Sequence, residues 1–484
     1  MLKLNPEFLK AIVLELRRDI PDDPILECHS DGFDSLRDQH IALLTLADQK
    51  LHTFPFKNVK PCWFRLYTDA SIVKALTFME KDSVSESLDT IVSILDMALI
   101  MAGGLGREQL IHDIFSSLQA ACAGDREVSE RPAKRRRLPE SAHTLPSDEV
   151  SIPTIQFPVA QMQNPSLTKF QAFMLEKREP LILNDTLTHW PALEKWKTIS
   201  YWLEATIHGR RLVPIEIGRS YTDDDWGQKI LPFREFLDDY ILRTSEVEPH
   251  PEKEVQTGYL AQHDLLKQIP SLQGDIAVPD YCYLDAPAPE AGNPVARSKT
   301  EREVLRKVSQ PSSIPSADML HPEFEDCDSR SDAGDTDIQR NIWFGPAWSI
   351  SPLHHDPYHN ILCQVVGTKY IRLYSPAHTN ALLPRPKNEP APHTNGIDHL
   401  QNATGKLDEG QCLSETIDMS NTSRVDVAAM ELSPLEDWDE VYPGISHIPY
   451  MDCIIHPGQA LYIPVGWWHY VRSCSVGISV SFWW

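Results

Sequence analysis

The sequence is poor in the features that mark disulfide-held, zinc-binding or membrane-spanning chains. Its 484 residues include nine cysteines, an odd number, irregularly spaced and without a Cys-x-x-Cys pair. That pattern offers neither a disulfide framework nor a zinc site, and the thiols fit a reducing compartment. No apolar run approaches the roughly 20 residues of a membrane span. The opening Met1-Leu2-Lys3-Leu4-Asn5-Pro6 lacks the charged-then-apolar layout of a secretory leader, so an intracellular soluble chain is expected. Basic residues are also in short supply: 45 Lys and Arg against 69 Asp and Glu leave a net charge of −24. Neither a membrane nor sequence-specific nucleic acid is an expected partner. The acidity suits a basic protein substrate, such as a histone tail or a ribosomal or chromatin-associated protein.

The length allows about two to three domains. Residues 5–123 read as helices. Phe8, Ile12, Val13 and Leu16 fall at helical spacing, and the pattern repeats around 35–51, 64–79, 85–102 and 107–122. Asp82-Ser83 and Gly103-Gly104 supply cap and stop signals. Cys28, Cys62 and Cys122 read as packed thiols rather than ligands. This α-helical domain, 1–123, offers no chemistry and is read as a docking or stabilising part. Residues 124–150 are a polar, proline-punctuated linker. Within it Lys134-Arg135-Arg136-Arg137 reads as a nuclear-import signal in preference to a solvated charge run, which places the protein in the nucleus.

From 151 to 484 the pattern is of short strands and Gly/Pro turns. Strands are expected at 180–183 and 212–217, with Glu216 between Ile215 and Ile217, and from Gly258. Trp196 and Trp202 read as core anchors, and Phe233 to Leu242 as a helix. Further strands are expected at 341–348, 360–366, 370–374, 453–456, 459–463, 468–472 and 476–484. Two aperiodic stretches, about 286–338 and 379–424, read as insertions. The expected fold is α+β: N-terminal helices, then a double-stranded β-helix of the jelly-roll or cupin kind with flanking helices.

One stretch carries chemistry: Ser351-Pro352-Leu353-His354-His355-Asp356-Pro357. In a strand, residues two apart share a face, so His354 and Asp356 aim an imidazole and a carboxylate at one point. A His-x-Asp triplet alone is weak evidence. A second imidazole from a later strand would complete a facial triad, leaving three metal positions for co-substrate and dioxygen. His469, after Pro464-Val465-Gly466-Trp467-Trp468, is the best third ligand, although a lone histidine there is more often a packed one. His355, His359 and His456 compete, and His355 should face away from His354. Lys369 shares an apolar face with Ile371 and Leu373. Such a lysine is seldom left unpaired, so it either makes an internal ion pair or snorkels, or it receives an anion, the far carboxylate of 2-oxoglutarate.

These residues, with Trp343-Phe344-Gly345-Pro346, Asn360, Gly367 through Pro376 and Ile463 through Arg472, resemble a JmjC domain. The resemblance is to the subfamily named both JmjC domain-containing protein five and lysine demethylase eight, and covers about 152–484. It extends more weakly to Leu66-Tyr67-Thr68-Asp69-Ala70; the two insertions depart from the pattern. It implies Fe(II) bound by His354, Asp356 and His469. It implies 2-oxoglutarate held by Tyr259, Ser351, Asn360 and Lys369, and a substrate arginine received by Glu216, Gln262 and Trp343. The activity so implied is a 2-oxoglutarate-dependent dioxygenase hydroxylating a protein arginine. The alternatives are a histone lysine demethylase and a catalytically inactive binding module; a sugar- or small-molecule-binding cupin is disfavoured by Lys369 with Asn360.

Overall fold

The structure, a computed structural model, describes residues 4–18, 20–54, 56–80, 84–124, 143–150, 152–222, 226–243, 257–309, 338–387, 389–390 and 416–484. Asp82-Ser83 and the basic cluster 134–137 lie outside the described residues. Contacts divide the chain into two compact units.

The first unit takes residues 1–146, 191–217 and 228–277. Its helices are α1 (Pro6–Leu16), α2 (Gly32–Thr53), α3 (Pro61–Met79), α4 (Leu88–Ala102) and α5 (Glu108–Gly124). Each buries the stripe its spacing prescribes, for example Ile91, Val92, Leu95, Ala98 and Ala102 on α4. Gly103 ends α4 in the left-handed region, with Gly104 donating back to the Ala98 carbonyl. The same unit holds strands β3 (Leu212–Ile217), β4 (Gly227–Pro232, all but its first residue) and β5 (Gly258–His263), in the order β5-β3-β4.

Buried polar groups fix β3 to the helices. Asp96 of α4, fully buried, accepts from Arg211 Nε at 2.9 Å, from the Leu212 amide at 2.7 Å and from Gln268 Nε2 at 2.7 Å. Arg211 also lies 3.7 Å over the Phe115 ring of α5.

The second unit takes residues 147–190, 218–227 and 278–484. Its strands are β1 (Ala160–Gln163), β2 (Leu181–Asn184), β6 (Gln339–Gly345), β7 (Ile350–His355), β8 (Asn360–Val366), β9 (Lys369–Tyr374), the two-residue pair β10 (Glu389–Pro390) and β11 (Thr416–Ile417), β12 (Tyr450–Ile455), β13 (Ala460–Ile463), β14 (Trp468–Ser473) and β15 (Gly477–Trp483). One sheet runs β1-β2-β13-β8-β15-β6 and a second runs β12-β9-β14-β7. Their inner faces meet in a core that includes Leu362, Ile371, Leu373, Cys453, Ile455, Leu461, Ile463 and Val471. This is the expected jelly-roll sandwich, with strands close to the expected positions.

The alternation of β15 explains the packing. Ile478, Val480 and Phe482 form its apolar face. Gly477, Ser479 and Ser481 form the other, where Ser479 donates to Gln364 Oε1 and Ser481 accepts from Trp343 Nε1. Both rims of the four-stranded sheet have backbone partners. The Phe157 carbonyl and Val159 amide bond to Asp452 of β12. Asn421 to Ser423 run along β7, the Asn421 carbonyl accepting from His355 and the Ser423 amide donating to Leu353.

The first stretch read as an insertion opens with a helix, Pro294–Ser309, which aperiodic composition did not announce. Seven of its sixteen residues are charged and its few apolar ones form only a short stripe, so the 3.6-residue signal is weak. Asn293 accepts from the Val295 amide at its start, and Pro294 takes the first position.

Candidate metal centre and co-substrate pocket

Two strands of the smaller sheet build the centre. β14 and β7 run antiparallel with His469 directly opposite His354. Between that pair and the Val471–Ser351 pair, β14 contributes one residue, Tyr470, and β7 two, Pro352 and Leu353. Proline has no amide hydrogen to give the ladder, and the strand bulges there. The bulge breaks the two-residue rhythm. Ile350 and Leu353, three apart, both enter the outer-face cluster with Trp468 and Tyr470. Ser351 and His354 fall to the inner face. His355, paired with Trp468, packs its ring 4.6 Å from that indole on the outer side, and burial pushes its pKa down to about 4.

Asp356 follows β7. Its carbonyl accepts from the Gly466 amide at 3.0 Å, tying the aspartate to the turn that precedes His469. Gly466 sits at φ +76°, and a Cβ there would come within 2.2 Å of Asn293 Oδ1, so only glycine fits.

The donor atoms of His354, Asp356 and His469 all lie within 4.8 Å of one another. His354 Nε2 is 3.8 Å from Asp356 Oδ1, and His469 Nε2 is 3.6 Å from Asp356 Oδ2. Each Nδ1 faces a backbone carbonyl: His354 that of Pro352 at 2.7 Å, His469 that of Trp467 at 3.0 Å. A carbonyl only accepts, so each Nδ1 carries the hydrogen and each Nε2 presents a lone pair. That second contact is how metal-binding imidazoles are oriented. Burial, with the neighbouring His354, holds the His469 pKa down to about 4, so its ring is neutral near pH 7. Two imidazoles and one carboxylate fit a divalent first-row metal with open positions.

The same inner face carries the other residues of this unit that the sequence singled out. On β9, Lys369 shares a side with Ile371 and Leu373, four residues and about 13 Å along the strand from the Leu373–His469 pair. Burial draws its pKa down to about 7. Gly367 sets the turn before it: a Cβ at its φ of +68° would lie 2.0 Å from the Val476 carbonyl. Asn360 begins β8 on the side of Leu362, buried, its Oδ1 without a hydrogen-bond partner among the described residues. Trp343 packs on the inner core and donates to Ser481 at 2.7 Å. Glu216, Tyr259 and Gln262 belong to the first unit. Glu216 of β3 stands opposite Tyr259 of β5, and Gln262 holds φ +51°.

The other histidines named as competitors go elsewhere. His359 bonds to the Tyr462 hydroxyl and the Pro287 carbonyl, and the backbone of His456 is held by Gln459 in a turn. Sequence reasoning missed Asn421 to Ser423 beside β7, for which no local signal exists. It also missed the polar inner line Gln364, Ser479 and Ser481. The strict alternation of β15 could have shown the two serines.

Comparison with known proteins agrees. Residues 167–484 match the model of the cupin-like domain family. The chain is 30% identical over 439 residues to lysine-specific demethylase 8 of Danio rerio, covering 90% of this chain and 84% of that protein. It is 31% identical over 462 residues to lysine-specific demethylase JMJ30 of Arabidopsis thaliana, covering 91% and 84%. Jumonji C domain-containing protein 5 of Drosophila melanogaster is 29% identical over 438 residues, covering 90% and 84%. With a sandwich of this topology and a His-x-Asp…His cluster on its inner face, the chain belongs to the JmjC family of cupin-like, 2-oxoglutarate-dependent dioxygenases.

Proposed function

We propose that this dioxygenase hydroxylates an arginine side chain of a basic protein substrate in the nucleus, using Fe(II) and 2-oxoglutarate. The observation that carries the metal assignment is the convergence of two Nε2 lone pairs on Asp356, with both Nδ1 hydrogens committed to backbone carbonyls. Bound there, iron with 2-oxoglutarate supplies dioxygen activation: the co-substrate becomes succinate and carbon dioxide, and one oxygen atom enters a substrate C–H bond.

The chain's own work is holding and excluding. His354, Asp356 and His469 would hold the metal. Lys369 supplies the charge for the far carboxylate of 2-oxoglutarate, with Asn360 and the hydroxyls of Ser351 and Tyr259 as its other contacts. Leu362, Ile371, Leu373 and Val471 wall the pocket against water. For the substrate, Glu216 offers a carboxylate fork, Gln262 an amide and Trp343 a flat aromatic face, the set a guanidinium prefers. The basic run 134–137 supports nuclear import, and the charge of −24 supports a basic partner.

A second reading, demethylation of a histone lysine, is favoured by the names of two relatives, both called lysine-specific demethylases. Mass analysis of arginine and methyl-lysine peptides after incubation with iron and 2-oxoglutarate separates the two. A gain of one oxygen on arginine is expected; loss of methyl from lysine would replace the proposal. Asp356→Ala should abolish both peptide product and succinate formation.

A further inference from the structure

On the inner face, β14 presents His469, Val471 and Ser473 in turn, and β9 presents Leu373, Ile371 and Lys369 opposite them. Ser473 is therefore the cross-strand partner of Lys369. It is fully buried. Its backbone is satisfied, the amide donating to the Ser349 carbonyl at 3.0 Å and the carbonyl accepting from the Trp348 amide at 2.9 Å. Its hydroxyl has no hydrogen-bond partner among the described residues. Neighbouring buried serines are all satisfied: Ser349 by the Pro346 carbonyl, Ser475 by the Val476 carbonyl and Thr368 amide, Ser479 by Gln364, and Ser481 by Trp343. A buried hydroxyl left open in such company points to a missing acceptor.

We infer that Ser473 is an additional co-substrate-binding residue, donating its hydroxyl to the far carboxylate of 2-oxoglutarate beside Lys369. The inference rests on the dioxygenase reading and adds one donor to it. The register supports the geometry. Directly opposed residues of an antiparallel pair hold their Cβ atoms about 5 Å apart. An anion drawn to the Lys369 ammonium is thus within reach of a hydroxyl on the neighbouring strand. Lys369 supplies charge and Ser473 direction.

The test uses full-length protein loaded with Mn(II), in which calorimetry reads binding without turnover. Ser473→Ala should weaken 2-oxoglutarate binding about tenfold, the loss expected for one hydrogen bond to a charged acceptor. It should leave the affinity for oxalate unchanged, because oxalate chelates the metal but has no far carboxylate. In the iron enzyme the KM for 2-oxoglutarate should rise by the same factor while kcat holds. Ser473→Cys, similar in shape but a weaker donor, should fall between. Unchanged 2-oxoglutarate affinity in Ser473→Ala overturns the inference. So does an equal loss for oxalate, which marks a merely structural effect. Wild-type protein that binds oxalate but not 2-oxoglutarate would instead strike the dioxygenase reading beneath it.

Discussion

Lys369 shows what burial does to a single charge. The ammonium, ordinarily at 10.5, is drawn down to about 7 by the loss of solvent. A dianionic co-substrate beside it would favour the charged form and lift that value again. Binding above pH 7 then takes up a proton, so affinity must fall as pH rises. The sign follows because the complex holds more protons than the free enzyme. We expect the dissociation constant for 2-oxoglutarate to be flat below about pH 7 and to grow by up to about tenfold per pH unit above it. Lys369→Met should bind weakly with no such slope. Titration calorimetry between pH 6 and 9 checks this, and a flat wild-type profile would remove Lys369 as the partner. This lysine was legible in the sequence because an ammonium in an apolar period-two stripe is conspicuous. His354 and Asp356 were legible for a similar reason, two-residue spacing. Ser473 was not, since a serine on a mostly buried strand looks the same whether or not its hydroxyl has a partner.

Among elements, β7 and α4 carry the most consequence. The bulge at Pro352 lets one strand give Leu353 to the outer core and both Ser351 and His354 to the inner face. Strict alternation predicts the His354–Asp356 side correctly but would put Ser351 on the opposite face. The bulge depends on pairing with a strand more than a hundred residues away, which no local pattern encodes. On α4, Asp96 accepts from Arg211, Leu212 and Gln268, and so anchors the start of the strand that bears Glu216. Removing it strands a buried guanidinium. Asp96→Ala should cost about 3–5 kcal/mol of stability. Urea unfolding measures this; a loss below about 1 kcal/mol would mean that Arg211 finds another partner. The helices themselves were readable from their stripes. Their tie to β3 was not, because Asp96 and Arg211 lie 115 positions apart.

For the molecule as a whole, charge is the main lever. With a net −24, the chain should attract basic peptides over distances that salt screens, since the Debye length shrinks from about 10 Å at 0.1 M to about 3 Å at 1 M. We expect the KM for a basic peptide to rise several-fold between about 50 and 500 mM salt while that for 2-oxoglutarate changes less. Steady-state kinetics across that series decides it, and a salt-independent peptide KM would confine recognition to the pocket. The first compact unit draws on segments both before and after the linker, an arrangement that composition along the chain does not reveal.

The smaller sheet has a further bearing on how a polypeptide can be received. Phe157 to Val159 line one rim and Asn421 to Ser423 the other, each already joined through the main chain. A guest peptide therefore meets Asp452 of β12 and Leu353 and His355 of β7 with their main chain already joined, and cannot add a strand at those positions without displacing these segments. For the substrate proposed above, strand pairing at these rims would then add little to selection, and the side chain that enters the pocket would carry most of it.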